Sequence, residues 1–231
     1  MIKGKSSGLL IVISGPSGVG KDTICKAIES EMNDVKISVS MTSRKPRKNE
    51  IEGIDYYFVT EKEFKERIEN GEFLEYAIVH SGHYYGTPKD KIDKYINNGI
   101  NVILNIDIQG ALQVKELVDD AIFIFIMPPN METLIKRLKN RKTESVEQIV
   151  ERFKTAYKEI NEFKKYNYVV VNDEVEYAAN KIKAIMMAEK CRVDRIEEIY
   201  LNTKEEFIHE ELMEQEFDNS ERKILQLKRR Y

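Results

Sequence analysis

Short apolar runs rich in Ile and Val alternate along this chain with segments of helical period, the pattern of a parallel sheet covered by helices on both faces. Residues 9–13 form a continuous apolar run that predicts a buried strand. A glycine-rich turn at 15–20 follows, then a helix in which Ile24, Ala27 and Ile28 share one face. Residues 36–40 alternate Ile37 and Val39 with polar positions, which predicts a second strand leading into a basic loop at 44–48. Residues 56–59 read as a short aromatic strand. Thr60 and Glu63 then form a capping box for a helix with Phe64 and Ile68 inward, stopped by Gly71. Residues 73–79 and 84–85 predict a hairpin through Ser81-Gly82. These antiparallel signals interrupt the α/β alternation and predict a small β-rich insertion at about 40–86.

Beyond the insertion, Thr87 reads as the cap of a helix with Pro88 at its first position and Gly99 after its end. Buried-type strands at 102–106 and 121–127 flank a helix containing Ala111, Leu112, Val114 and Leu117. Residues 131–140 are amphipathic through Leu134, Ile135 and Leu138, and a second helix is expected from 145 to 166 after a charged break. A strand at 168–171 and a helix at 174–195 complete the α/β pattern. Residues 196–231 hold ten acids and six bases with scattered apolar positions, and read as an appended charged helix or two. The expected domains are therefore 1–195 and the extension 196–231.

With 231 residues, 42% of them apolar, the chain can build a sizeable core. Its charged fraction of 33% is mixed in sign, so neither a disordered chain nor a nucleic-acid binder is indicated. The net charge of −3 splits into −4 from the extension (six bases, ten acids) and +1 from the rest (31 bases, 30 acids). The longest apolar runs, 9–13 and 121–127, fall short of the ~20 residues of a membrane span. No secretory signal pattern opens the sequence. Two cysteines, Cys25 and Cys191, form neither a metal spacing nor a disulfide framework, so a cytoplasmic setting is expected.

The segment Gly15-Pro16-Ser17-Gly18-Val19-Gly20-Lys21 lies between the first strand and the first helix, which is the context a G-x-x-x-x-G-K phosphate loop requires. Its backbone N–H groups can turn inward around a phosphate at a helix N-terminus, with Lys21 reaching the β- and γ-phosphates. The loop pattern places Ser or Thr after the lysine to hold Mg²⁺, but Asp22 stands there with Thr23 next. Asp22 is either a Mg²⁺ ligand, directly or through water, or a first-turn acid favoured by the helix dipole. Asp107-Ile108-Gln109-Gly110 fits the D-x-x-G of GTPase switches, but no N-K-x-D guanine signature follows.

Ser38-Val39-Ser40-Met41-Thr42-Ser43-Arg44-Lys45-Pro46-Arg47, followed by Glu52-Gly53-Ile54-Asp55-Tyr56, resembles the S-V-S-x-T-T-R-x-P-R-x-x-E-x-x-G-x-D-Y block of guanylate kinases. Colinear matches continue at Glu72 to Tyr76, at Tyr84-Tyr85-Gly86-Thr87, at Ile106 to Gly110 and at Val171-Asn172-Asp173. The resemblance implies a P-loop kinase fold with a central parallel sheet, a GMP-binding insertion and a helical lid at about 130–152. It implies an enzyme that phosphorylates GMP, and dGMP, from ATP with Mg²⁺, working as a monomer or homodimer without nucleic-acid or membrane partners. Gly15 to Thr23 and Asn172 would hold ATP, with Asp22 and Thr23 at the metal. Arg44, Arg47, Tyr56 and Tyr85 would hold the GMP phosphate, while Ser40, Glu75, Thr87 and Asp107 would complete the GMP site. Lys21, Arg44, Arg137, Arg141 and Arg152 would supply the catalytic charge.

Departures from the pattern are Asn105 where the family often has an acid, Ser43 for Thr, Lys48-Asn49 in the basic loop, and Asp22 itself. Lys21-Asp22-Thr23 also matches a guanylate-kinase-like relative that acts on phosphorylated ribose, and a non-catalytic binding module is the other alternative. His80 and His83 flank the hairpin turn and read as solvent-exposed turn residues.

Overall fold

The computed structural model describes residues 8–47, 49–78, 82–139 and 146–195, with the backbone alone for 146–149, 151 and 152. Strand β1 (Leu10–Ser14) carries apolar side chains on both faces because both are covered. Ile11 and Ile13 pack with Ile24 and Ile28 of helix α1 (Lys21–Glu31), while Leu10 and Val12 face a second cluster. That second cluster adds Ile92 of α3 (Lys89–Asn97) and Ala111 and Val114 of α4 (Ile108–Leu117). With β2 (Val35–Ile37), β7 (Asn101–Asn105), β8 (Ile122–Met127) and β9 (Tyr168–Val171), β1 forms a five-stranded sheet in the order β2-β7-β1-β8-β9. All four of its strand pairs are parallel, so every strand delivers its carboxyl end to the same edge.

A second sheet, in the order β4-β3-β6-β5, is built from β3 (Met41–Thr42), β4 (Tyr57–Phe58), β5 (Phe73–Ile78) and β6 (Tyr84–Pro88). Beneath it, Met41, Phe64 and Phe73 form a separate small core, with Phe64 supplied by α2 (Glu61–Glu69). Thr60 caps α2 by accepting from the Glu63 N–H at 3.2 Å, and the Glu63 carboxylate pairs onward with Arg67. After α5 (Met131–Lys139), helix α6 (Val146–Ile160) closes a second small cluster of Leu134, Leu138 and Ala156. Helix α7 (Val175–Glu189) lays Ala178, Ala179 and Ile182 on the first face of the main sheet.

Four sequence expectations are corrected. The alternation at 36–40 is not one strand: β2 ends at Ile37, and the chain crosses to the other sheet before β3. A period of two does not record which ladder a residue joins, so the change of sheet left no trace in the pattern. Thr87 does not cap α3; it is buried inside β6, and Pro88 occupies the cap position. The helix expected to reach 166 stops at Ile160 and tightens into a 3-10 turn at Asn161–Lys165. There Asn167 must already hydrogen-bond Phe123 to start β9, while the Tyr166 ring packs edge-on against Phe125 at 5.0 Å. The last helix ends at Glu189 rather than 195: residues 190 and 191 form a turn, after which the Arg192 and Arg195 guanidiniums pair with the Glu189 carboxylate.

The chain divides into a unit of Ser7–Met186, which holds both sheets, and a second unit to which residues 187–195 belong. The extension at 196–231, His80, Ser81 and Lys48 lie outside the described residues. No helix among the described residues is long and apolar enough to cross a membrane.

Phe64 is fully buried and stacked on Phe73 at 4.4 Å, so it is the keystone of the second sheet. Phe64→Ala is expected to cost about 3–5 kcal/mol of unfolding free energy in urea titrations. A loss under about 1 kcal/mol would show that this sheet does not depend on its own core.

Candidate active site

The 15–21 loop leaves β1 at the carboxyl edge of the main sheet and enters α1 through Gly20, whose φ of 96° lies in the left-handed region. A Cβ on Gly20 would stand 2.7 Å from Asn172 Nδ2, and one on Gly15 would stand 2.4 Å from the Ile126 carbonyl oxygen. Glycine is therefore required at both ends by backbone shape and by crowding from β8 and the end of β9. Lys21 folds back so that its Nζ donates to the Gly15 carbonyl at 2.8 Å. Burial lowers its pKa, a shift opposed by the nearby Asp22 and Glu159 carboxylates. Loop carbonyls are satisfied from outside: Val19 O accepts from Asn172 Nδ2 at 2.7 Å and from Arg137 Nη1 at 3.1 Å. Arg137 Nη2 also donates to Asn172 O at 3.1 Å. The Ser17 N–H donates to the Glu159 carboxylate at 3.3 Å, so an acid already faces this donor loop.

Asp22 and Thr23 are exposed on the first turn of α1. Asn105 Nδ2, at the end of β7, donates to Asp22 Oδ1 at 2.6 Å. Both line a cleft of about 630 Å³ together with Ser40, Arg47, Glu50 and Tyr56. The structure thus brings the loop acid into the same cleft as part of the expected phosphate-binding set.

Arg44 is held on three sides at the second sheet. Its Nε donates to the Tyr85 hydroxyl at 2.9 Å, and its Nη1 and Nη2 donate to the two Glu50 carboxylate oxygens, each at 2.8 Å. Its guanidinium lies 5.4 Å from the Tyr56 ring centroid and 5.8 Å from that of Phe58. Tyr56 and Tyr85 meet edge-on at 5.7 Å. The Arg47 side chain is exposed, and its backbone N–H donates to Glu50 at 2.7 Å.

Deeper in the same sheet, Glu75 of β5 is 7% exposed, and Thr87 of β6 donates its hydroxyl proton to Glu75 Oε1 at 2.6 Å. A Cβ on Gly110 would lie 2.7 Å from Glu75 Oε2, so the amino end of α4 packs directly against this carboxylate. Burial pushes the Glu75 pKa up to about 7, against the Thr87 hydrogen bond. Asp107 caps α4 by accepting from the Gly110 N–H at 2.8 Å. The D-x-x-G match is thereby explained as a helix cap bonding three residues on.

Arg141 lies outside the described residues, as does the side chain of Arg152. His83 is half-buried rather than exposed. Sequence reasoning passed over Glu50 and Glu159. Glu50 carried a signal, since an acid three residues after Arg47 is part of the R-x-P-R-x-x-E run; Glu159 sits on an amphipathic helix with nothing local to mark it.

The family model of guanylate kinase matches residues 7–189. The chain belongs to the guanylate kinase family. It is 57% identical to a guanylate kinase of Clostridium perfringens over 205 residues, covering 89% of this chain and 94% of that one. It is 55% identical to a guanylate kinase of Caldanaerobacter subterraneus, covering 88% of this chain and 98% of that one. The crystal structure of guanylate kinase from Anaplasma phagocytophilum superimposes with a TM-score of 0.68 at 37% identity, over 82% of this chain and 90% of that one. The expected α/β fold, with a central parallel sheet flanked by helices and a second small sheet, is that of this family.

The raised pKa of Glu75 has a consequence for stability in this guanylate kinase family member. The unfolded carboxyl ionises near 4.5 while the folded one keeps its proton to about 7, so the folded state binds more protons between these values. Stability contributed by Glu75 is full below pH 4.5 and declines as pH rises to 7, by about 1.4 kcal/mol per unit. Glu75→Gln is expected to remove this decline in urea titrations at pH 5 and 7. An unaltered slope would mean that Glu75 is ionised in the fold across that range.

Proposed function

We propose that this chain transfers the γ-phosphoryl group of ATP to the phosphate of GMP, and of dGMP, yielding ADP and GDP. The observation that carries this reading is the pairing, on one small sheet, of a buried carboxylate at Glu75–Thr87 with a fixed guanidinium at Arg44–Tyr85. Guanine presents N1–H and N2–H₂ donors along one edge where adenine presents an acceptor at N1, so a fixed carboxylate selects guanine. The guanidinium suits the phosphate at the other end of the nucleotide. Ser40 and the remaining oxygen of Asp107 complete the base contacts in this reading, and Tyr56, Tyr85 and Arg47 complete the phosphate contacts.

The reaction asks for alignment and charge neutralisation rather than covalent help from the protein. In this reading the N–H groups of the 15–20 loop hold the ATP phosphates and Lys21 contacts the transferred group. Arg137, Arg141 and Arg152 close over it, excluding water and balancing charge on its equatorial oxygens. Asp22, oriented by Asn105, and Thr23 are the residues that would hold Mg²⁺. One carboxylate fits an ion that keeps most of its coordination for phosphate oxygens and water. When bound, that ion neutralises the β- and γ-phosphate oxygens. We place the activity in the cytoplasm, a setting that suits the free thiols of Cys25 and Cys191.

A coupled assay should register ADP from ATP only when GMP or dGMP is added, with AMP inert; no ADP with any guanine nucleotide would sink the reading. Glu75→Gln is expected to lower kcat/KM for GMP by about 10- to 100-fold. Asp22→Ser is expected to raise the Mg²⁺ concentration needed for half-maximal ATP binding, read by calorimetry. An unchanged Mg²⁺ dependence would leave Asp22 as a first-turn acid.

A further inference from the structure

The acid most closely engaged with the monophosphate site is one that no substrate contact explains. Glu50 spends both carboxylate oxygens on its own loop: Oε1 accepts from Arg44 Nη2, and Oε2 from Arg44 Nη1 and the Arg47 N–H, at 2.8, 2.8 and 2.7 Å. The two side chains are only 12% and 16% exposed. Arg44 holds the Glu50 pKa down to about 2, so the carboxylate stays ionised throughout the working range. Resting on the proposed GMP kinase activity, we infer that Glu50 is a positioning residue: it fixes the Arg44 guanidinium and the Arg47 backbone in the arrangement that receives the GMP phosphate.

Arginine has a long side chain whose rotamers are costly to freeze at the moment of binding. Glu50 freezes them beforehand. Nε is committed to Tyr85, the face of the guanidinium lies near Tyr56 and Phe58, and the Glu50 carboxylate fixes the rotation of the fork. The Tyr85 hydroxyl, which accepts from Arg44, keeps its own proton to donate outward. The same carboxylate closes residues 44–50 into one unit, with Pro46 stiffening the chain between the two arginines. Its negative charge leaves Arg44, Arg47 and Glu50 with a net +1, which tempers the field without cancelling it.

A rival account makes Glu50 a stand-in anion that GMP must evict, since a bidentate carboxylate copies the way a phosphate takes a guanidinium fork. Eviction would abandon three charge-assisted bonds at once, one of them to a backbone N–H. The two accounts predict opposite signs. In calorimetric titrations Glu50→Gln, which keeps the size but loses the charge, is expected to weaken GMP binding about tenfold or more. Its affinity for guanosine, which lacks the phosphate, should hold, and KM for GMP should rise more than kcat falls. Glu50→Asp, with the charge kept and the reach shortened, should recover part of the loss and carries the test if the glutamine variant does not fold. Unchanged or tighter GMP binding, or equal losses for GMP and guanosine, would overturn the inference. Failure of the wild-type chain to bind GMP would instead strike the kinase reading on which it rests.

Discussion

A loop that turns its backbone N–H groups inward to grip a phosphate must leave its carbonyls facing out, and buried carbonyls have to be bonded. Much of the arrangement around residues 15–21 follows from this. The Val19 carbonyl takes the Asn172 amide and the Arg137 guanidinium, which ties the end of β9 and the helix α5 to the loop. The Gly15 carbonyl takes the Lys21 ammonium. Close approach by β8 and Asn172 is what forbids a side chain at Gly15 and Gly20. Three segments distant in sequence are thereby held at one loop, two by hydrogen bonds and β8 by close packing, and the carboxyl edge of the parallel sheet is where they meet.

Charge in the cleft is balanced locally rather than left to solvent. Glu159 faces the Ser17 N–H and Glu50 faces the Arg44 fork, so donors built for anions already have acids of the same chain beside them. The whole-chain net charge of −3 gives no hint of this. Glu75 belongs to a different regime. It has Thr87 as its hydrogen-bond donor, so burial wins over that single bond and its proton is held to about 7. Glu50, with three donors, goes the opposite way, to about 2. Two glutamates on neighbouring stretches of one subdomain thus shift in opposite directions, Glu75 upward through burial and Glu50 downward through its hydrogen bonds to Arg44 and Arg47.

The sequence made the scaffold legible where a local rule sufficed. Apolar runs marked β1, β7 and β8, the Thr60 cap marked α2, and Gly71 and Gly99 marked helix ends. It was silent where two local rules competed. Thr87-Pro88 has the form of a helix start, but its hydroxyl is spent on Glu75, a partner twelve residues away that no local pattern reveals. The run at 36–40 keeps its alternation while changing sheets. Among site residues, motif spacing pointed to Arg44, Tyr85 and Glu75, whereas the bracing of Val19 by Arg137 and Asn172 spans 118 and 153 residues and required the fold.

Two departures from the guanylate kinase pattern are best understood as one change. The loop carries Asp22 where Ser or Thr is expected, and the end of β7 carries Asn105 where an acid is common. The structure puts these side chains in contact at 2.6 Å. Acids at both places would set two carboxylates against each other, a repulsion of about 4 kcal/mol at ~4 Å near a protein surface. With an amide on one side, the contact becomes a hydrogen bond that fixes the direction of the remaining carboxylate. The number of acids at this corner of the cleft stays at one, moved from the strand end to the helix start. There it gains the favourable field of the α1 amino terminus and stands next to the phosphate loop. Asp22 and Asn105 therefore constrain each other, and reverting either alone would leave the corner with two acids or with none.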